Sequence, residues 1–215
     1  MTRMLPWILL TIVALGVLLF GEATARPRLG WIAKPLASVG FLGAAVANGA
    51  FETAYGNAVF LALAWSFLGD VLLIPRDSRP AFTFGLISFV VAHLGYLVAF
   101  RVLGMDGVWL ALTAVGLLVP AALAFRWLRP HLPRGMTGPV VVYIVVITAM
   151  VAGSVATWPT VRAPVVLLAA VLFYLSDLAV ARQRFVAPGV VNRAVGLPLY
   201  YAAQLLFVWT ATPPG

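Results

Sequence analysis

The chain reads as long apolar runs separated by short polar breaks that hold many of its prolines and arginines. A helix rising about 1.5 Å per residue needs about 20 apolar residues to cross the hydrocarbon core of a bilayer. Eight runs approach that length: Leu5–Phe20, Trp31–Ala47, Asn57–Ile74, Ala81–Leu103, Val108–Trp127, Pro139–Ala156, Pro164–Ala181 and Ala194–Thr210. Pro27, Pro75, Pro80, Pro130, Pro133, Pro159, Pro164 and Pro188 punctuate the gaps, as expected of a residue that is accepted at a helix start and breaks a helix interior. Six of the seven tryptophans (Trp7, Trp31, Trp109, Trp127, Trp158 and Trp209) fall near run ends, where indole rings sit at the membrane interface. The expected fold is all-α: a polytopic transmembrane helix bundle of about eight spans, forming a single integral membrane domain over residues 1–215.

Composition agrees. Hydrophobic residues make up 63% of the chain and charged residues 9%, against roughly a quarter charged in soluble domains. So few charges cannot coat a water-soluble globule, which excludes a cytosolic enzyme, a secreted domain, a disordered chain and an ordinary nucleic-acid binder. The net charge is +8, from 14 Lys and Arg against 6 Asp and Glu. In a membrane protein this reflects loop bias, with no nucleic-acid partner expected. Arg3, Arg101 and Arg162 fall on the N-terminal side of the membrane, and the other 11 basic residues fall opposite. The positive-inside rule makes that second side cytoplasmic and puts both termini outside. Arg3, the first apolar run and Ala23-Thr24-Ala25 resemble a secretory signal. Cleavage would invert the charge pattern, so the first helix is expected to be retained. Richness in Ala, Val, Gly, Pro and Arg suggests a bacterial inner (plasma) membrane. The chain has no cysteine, which removes disulfides, thiolate metal sites and Cys nucleophiles.

Two spans share a signature. Phe67-Leu68-Gly69-Asp70 returns as Tyr174-Leu175-Ser176-Asp177, with the acids 107 positions apart, and the same shift sets His93 opposite Tyr200. Four spans separate the copies, which a parallel 4+4 internal repeat would explain.

Ionisable groups at membrane depth are costly and mark functional sites by default. Arginines near span ends snorkel to the interface, and four of the six acids lie at or beyond span ends. Asp70, Asp177 and His93 remain, with Lys34 near the start of the second span. Asp70 and Asp177 each sit about one turn before the cytoplasmic end of their span. His93 and Tyr96 share a helix face, as do Tyr200 and Gln204. Such groups meet in one cavity if the helices bundle suitably. Each also has a scaffold role open to it. The acids can pair with Lys34, Arg76 or Arg182, His93 and Gln204 can tie helices together, and the tyrosines can pack with a polar handle. Gly69 and Ser176 would let helices approach closely. Two histidines cannot make a three-His zinc site. Paired carboxyls, one protonated and one ionised, suit cleavage of acetal-like C–O bonds through an oxocarbenium-like state.

Several of these stretches, in this order along the chain, resemble the YhhN-like lysoplasmalogenase family. They are Lys34-Pro35; Trp65-Ser66-Phe67-Leu68-Gly69-Asp70-Val71-Leu72-Leu73; Phe84-Gly85; Ala92-His93-Leu94-Gly95-Tyr96; Leu172-Phe173-Tyr174-Leu175-Ser176-Asp177 with Arg184-Phe185; and Tyr200-Tyr201-Ala202-Ala203-Gln204. The resemblance implies a multi-pass membrane ether hydrolase of lipid metabolism. Its reaction would split the vinyl ether bond of lysoplasmalogens into a fatty aldehyde and a glycerophospho-ethanolamine or -choline. It implies Asp70 and Asp177 as catalytic acids, with Lys34, His93, Tyr96, Tyr200 and Gln204 in binding or positioning roles. The implied partner is a lysophospholipid among membrane lipids, and no metal or organic cofactor is called for. The residues taken alone leave two other classes open. One is a proton-coupled transporter or exporter, since intramembrane Asp, His and Tyr also build proton relays. The other is a non-catalytic sensor or assembly protein whose acids are interhelical ties.

Overall fold

A computed structural model describes residues 2–212 of the chain. Every regular element among them is a helix, with no strand among the described residues. The long helices are α1 (Leu5–Ala23), α2 (Gly30–Ala47), α3 (Ala54–Leu72), α4 (Arg79–Gly104), α5 (Gly107–Gly116), α6 (Leu118–Leu128), α7 (Thr137–Ala156), α8 (Ala163–Ala181) and α9 (Val190–Thr210). Local chemistry starts several of them. Thr53 accepts from the Gly56 amide to cap α3, Ser78 accepts from Ala81 to cap α4, and Asp106 accepts from Val108 and Trp109 to cap α5. Each side chain satisfies amides that a helix start leaves without partners.

Seven helical stretches among the described residues are long and apolar enough to cross a membrane. The surface matches that solvent: Val13, Ile32, Leu61, Val98 and Val115 are each at least 58% exposed. The protein is an integral membrane protein. The last helix, α9, has the length, at 21 residues, but Asn192, Arg193 and Gln204 make it more polar. Asn192, Tyr200, Tyr201 and Gln204 are buried, so most of that polarity faces other helices.

The expected span Val108–Trp127 is present, within the apolar stretch Gly107–His131, but it is broken at Leu117: α5 stops at Gly116 and α6 begins at Leu118. Pro120 explains the break, because it lacks an amide hydrogen and its ring clashes with the carbonyl of Gly116 four residues earlier. The α5–α6 arm buries only Leu128 and rests mainly on α7 at the edge of the bundle. The other expected boundaries agree with the helices to within a few residues.

The bundle is assembled from tight neighbouring pairs, α1 with α2, α3 with α4 and α8 with α9. In addition α9 meets α1, α2 and α3, while α4 meets α7 and α7 meets α8. Lipid tails are as apolar as a helix face, so close van der Waals packing and polar ties drive such association. Small residues permit it. A Cβ on Gly40 would lie 2.2 Å from Thr11 Oγ1, and one on Gly69 would lie 2.7 Å from the Phe89 ring. The contact of Gly69 with Phe89 brings α3 against α4 beside Asp70.

Candidate active site

The ends of the helices on the basic side surround a cavity of about 950 Å³. Asp70, Asp177, Lys34 and Tyr200 line it, together with Tyr143. Its inner wall is apolar. Phe89 and Ile147 each lie ten residues inside their helices, about 15 Å along the axis at 1.5 Å per residue.

Asp70 is buried, with 2% of its surface exposed. The end of α3 holds it between α2 and α9. Lys34 Nζ is 3.1 Å from Oδ1 and also donates to the Asp70 carbonyl at 3.0 Å. Ser38 donates to Oδ2 at 2.7 Å and the Tyr200 hydroxyl at 2.6 Å. Tyr201 closes the back of the cluster, 3.3 Å from the Ser38 hydroxyl. A buried carboxylate is tolerated only when paired and hydrogen-bonded, and Asp70 has a cation and two hydroxyl donors.

Asp177 has different company. The Tyr143 hydroxyl of α7 donates to its Oδ2 at 2.8 Å. His93 Nε2 of α4 lies 3.4 Å from the same oxygen. The other imidazole nitrogen, Nδ1, is 2.5 Å from the Phe89 carbonyl. A carbonyl oxygen only accepts, so Nδ1 carries a hydrogen. No arginine reaches Asp177: Arg182 pairs with Asn192 instead.

The two clusters exchange partners. The shift of 107 positions that carries Asp70 onto Asp177 carries His93 onto Tyr200. Asp70 binds Tyr200 and Asp177 faces His93, so each acid uses a residue from the other half of the chain.

Tyr96 and Gln204 lie elsewhere. They are fully buried and joined to each other, the Tyr96 hydroxyl donating to Gln204 Oε1. Tyr96 also stacks on Phe207, with ring centroids 4.0 Å apart. The pair ties α4 to α9 without bordering the cavity.

Charged residues ring the mouth. Glu22, at the end of α1, bridges Arg76 and Arg193, and its side chain is only 10% exposed. Arg184 donates to the Arg76 carbonyl at 2.7 Å and lies 4.4 Å from the centre of the Phe82 ring. Burial, then the neighbouring Arg193, pull the Arg76 guanidinium below its ordinary pKa, against the opposing pull of Glu22 and Asp77.

The sequence profile of the YhhN family matches residues 29–211, which enclose every candidate from Lys34 to Gln204. The chain belongs to the YhhN family. Lysoplasmalogenase TMEM86A of Bos taurus is 32% identical over 164 residues, 71% of this chain and 64% of the relative. Lysoplasmalogenase TMEM86B of Mus musculus is 35% identical over 159 residues, 70% of this chain and 61% of the relative. A lysoplasmalogenase of Mycobacterium bovis is 35% identical over 153 residues, 67% of this chain and 56% of the relative. This YhhN chain thus spans about three-fifths of the length of these curated relatives. No solved structure matches it.

Three residues of this YhhN site are not candidates by sequence: Tyr143 and Glu22 line the cavity, and Ser38 stands behind Asp70. Tyr143 is the sole aromatic of its apolar run, a signal for a polar handle in an otherwise featureless span. Ser38 follows Lys34 by four positions, which puts both on one helix face. Glu22 sits at a span end, where a solvated role is the default reading, and only the fold turns it into the cavity.

Proposed function

We propose that this YhhN-family protein is a membrane-embedded ether hydrolase acting on lysoplasmalogen-type lysophospholipids. It cleaves the vinyl ether bond to a fatty aldehyde and a glycerophospho-alcohol. The observation that carries this reading is one cavity with a charged mouth, an apolar inner wall and two carboxyls lining it. A single-chain ether lipid has the same order of parts: charged headgroup, ether linkage, hydrocarbon. The names of the relatives point to the same substrate class. The basic mouth is read as cytoplasmic, with both termini outside, so that the lysolipid enters from the cytoplasmic leaflet of a bacterial inner membrane.

The environments of the two acids suggest a division of labour. His93 Nε2 has no hydrogen-bond partner and, with the hydrogen on Nδ1, presents a lone pair toward Asp177. Two acceptors facing each other need a proton between them, so His93 and Asp177 together hold one. Asp177 is the general acid. Its proton goes to the alkenyl carbon remote from oxygen, and the double-bond electrons form an oxocarbenium ion. Asp70, the carboxylate of an ion pair with Lys34, stabilises that cation and takes a proton from the water that attacks the carbon bonded to oxygen. The hemiacetal then collapses: protonated Asp70 gives its proton to the departing alcohol oxygen, and the hemiacetal hydroxyl gives its proton back to the Asp177–His93 pair, which releases aldehyde and alcohol, consumes one water and resets both acids. Tyr143 and Tyr200 fix the acids, and Tyr96 with Gln204 holds α4 and α9 in register. The chain's own acids carry every step, with no metal or organic cofactor.

Aldehyde release from a vinyl-ether lysophospholipid in detergent micelles tests this reading. Asp70→Asn and Asp177→Asn are each expected to lower turnover by roughly 10²–10⁴-fold, the range of carboxyl acid–base catalysis. A wild type inert on every lyso vinyl ether overturns the function. Folded variants with full turnover overturn the site.

A further inference from the structure

We propose that Arg76, Arg184 and Arg193 form a subsite for the phosphodiester of the substrate headgroup, with Glu22 holding two of the three guanidinium groups in place. The proposal rests on the hydrolase reading above and specifies which part of the lipid the mouth recognises.

Position is the first argument. All three arginines line the same cavity as the two acids. Arg193 and Tyr200 are seven residues apart on α9, which puts them on one face about 10 Å apart along the axis. Arg184 follows Asp177 by seven residues, in the helical turn Arg182–Val186 that continues α8. In a lysoplasmalogen about seven bonds separate phosphorus from the alkenyl carbon that takes the proton, some 9 Å at the roughly 1.25 Å per bond of an extended chain. A phosphate at the arginines therefore leaves the vinyl ether at the acids and the hydrocarbon at Phe89 and Ile147.

Charge is the second. Three guanidinium groups at the mouth face two carboxylates, Glu22 and Asp77, which leaves one positive charge over. Each guanidinium has five N–H donors in a planar fork suited to phosphate oxygens. Glu22 engages Arg76 and Arg193, and Arg184 donates to one carbonyl, so donors remain on all three. Arginines that merely snorkelled would not be cross-tied through a carboxylate that is 10% exposed.

The test uses the full-length protein in a phosphate-free detergent. Binding of a non-cleavable 1-O-alkyl lysophosphatidylethanolamine is compared with that of 1-O-alkylglycerol, which lacks the phosphate, by titration calorimetry. Wild type is expected to bind the phosphate-bearing ether at least about tenfold more tightly. Arg193→Gln and Arg184→Gln should each weaken that ligand by about ten- to a hundredfold, the worth of a charge-assisted hydrogen bond, and bring the two affinities together. Arg193→Lys, which keeps the charge, should recover part of the difference. Equal weakening of both ligands, or a wild type that does not discriminate, overturns the subsite. Inorganic phosphate is the separate arm: arginine-dependent binding of free phosphate without discrimination between the two ethers would overturn the headgroup assignment. Aldehyde release is measured in parallel. Arginine-dependent discrimination without aldehyde keeps the subsite and removes the hydrolase reading, whereas aldehyde without discrimination removes the subsite alone.

Discussion

Lys34→Met is the most informative single perturbation of the cavity. Asp70 is 2% exposed, and among the described residues its only cation within salt-bridge distance is Lys34 Nζ, 3.1 Å away. At an effective dielectric constant of about 20 that separation corresponds to a gross Coulomb attraction of about 5 kcal/mol. Desolvation of both ions consumes much of it, so the net worth of the pair is far smaller. Breaking it is another matter, because an uncompensated buried charge remains, at a cost of about 3–5 kcal/mol. The substitution also removes the 3.0 Å bond from Lys34 to the Asp70 carbonyl, but it does so in any background. A double-mutant cycle isolates the charge: Lys34→Met, Asp70→Asn, and both together, followed by reversible unfolding in mixed micelles. The double variant is expected to be more stable than the sum of the single losses implies, by about 2–3 kcal/mol. Additive losses would refute the argument that Lys34 is what makes an ionised Asp70 tolerable.

Other outcomes follow from the same geometry. Gly69→Ala puts a Cβ 2.7 Å from the Phe89 ring, and that ring is held edge-on by Phe173 and Tyr200. The expected cost is about 1–3 kcal/mol in unfolding experiments, and an unchanged midpoint would mean that α3 and α4 can separate freely. His93→Asn removes the imidazole 3.4 Å from Asp177 that the proposed mechanism uses to share its proton. Aldehyde release should fall by at least about tenfold, less than for loss of the acid itself, and added imidazole should restore part of it. Turnover equal to wild type would remove His93 from the proton path. Prolonged dialysis against EDTA should leave aldehyde release unchanged, and loss of activity that zinc restores would contradict a mechanism carried by the chain's own acids.

The apolar runs alone determine that this is a membrane helix bundle. Backbone groups in lipid must be satisfied within the chain, and a helix does this over one segment at a time. The same low polarity makes Asp70 and Asp177 conspicuous, since so few charges lie inside the spans. The break at Leu117 is also legible, in Pro120. Partnership is not. Lys34, Arg76 and Arg182 are equally plausible counter-ions for an Asp one turn from the interface, and only helix order and rotation give Lys34 to Asp70 and leave Asp177 to Tyr143 and His93. Helices whose lipid-facing and buried sides are both apolar carry little periodic signal for that rotation. The pairing of Tyr200 with Asp70 and of His93 with Asp177 too needs the fold to be seen. Tertiary packing likewise sets Tyr96 and Gln204 apart from the cavity and turns Glu22 into it. The chain's composition decides what solvent it lives in and which residues are costly there. The packing of the helices decides which of those residues meet.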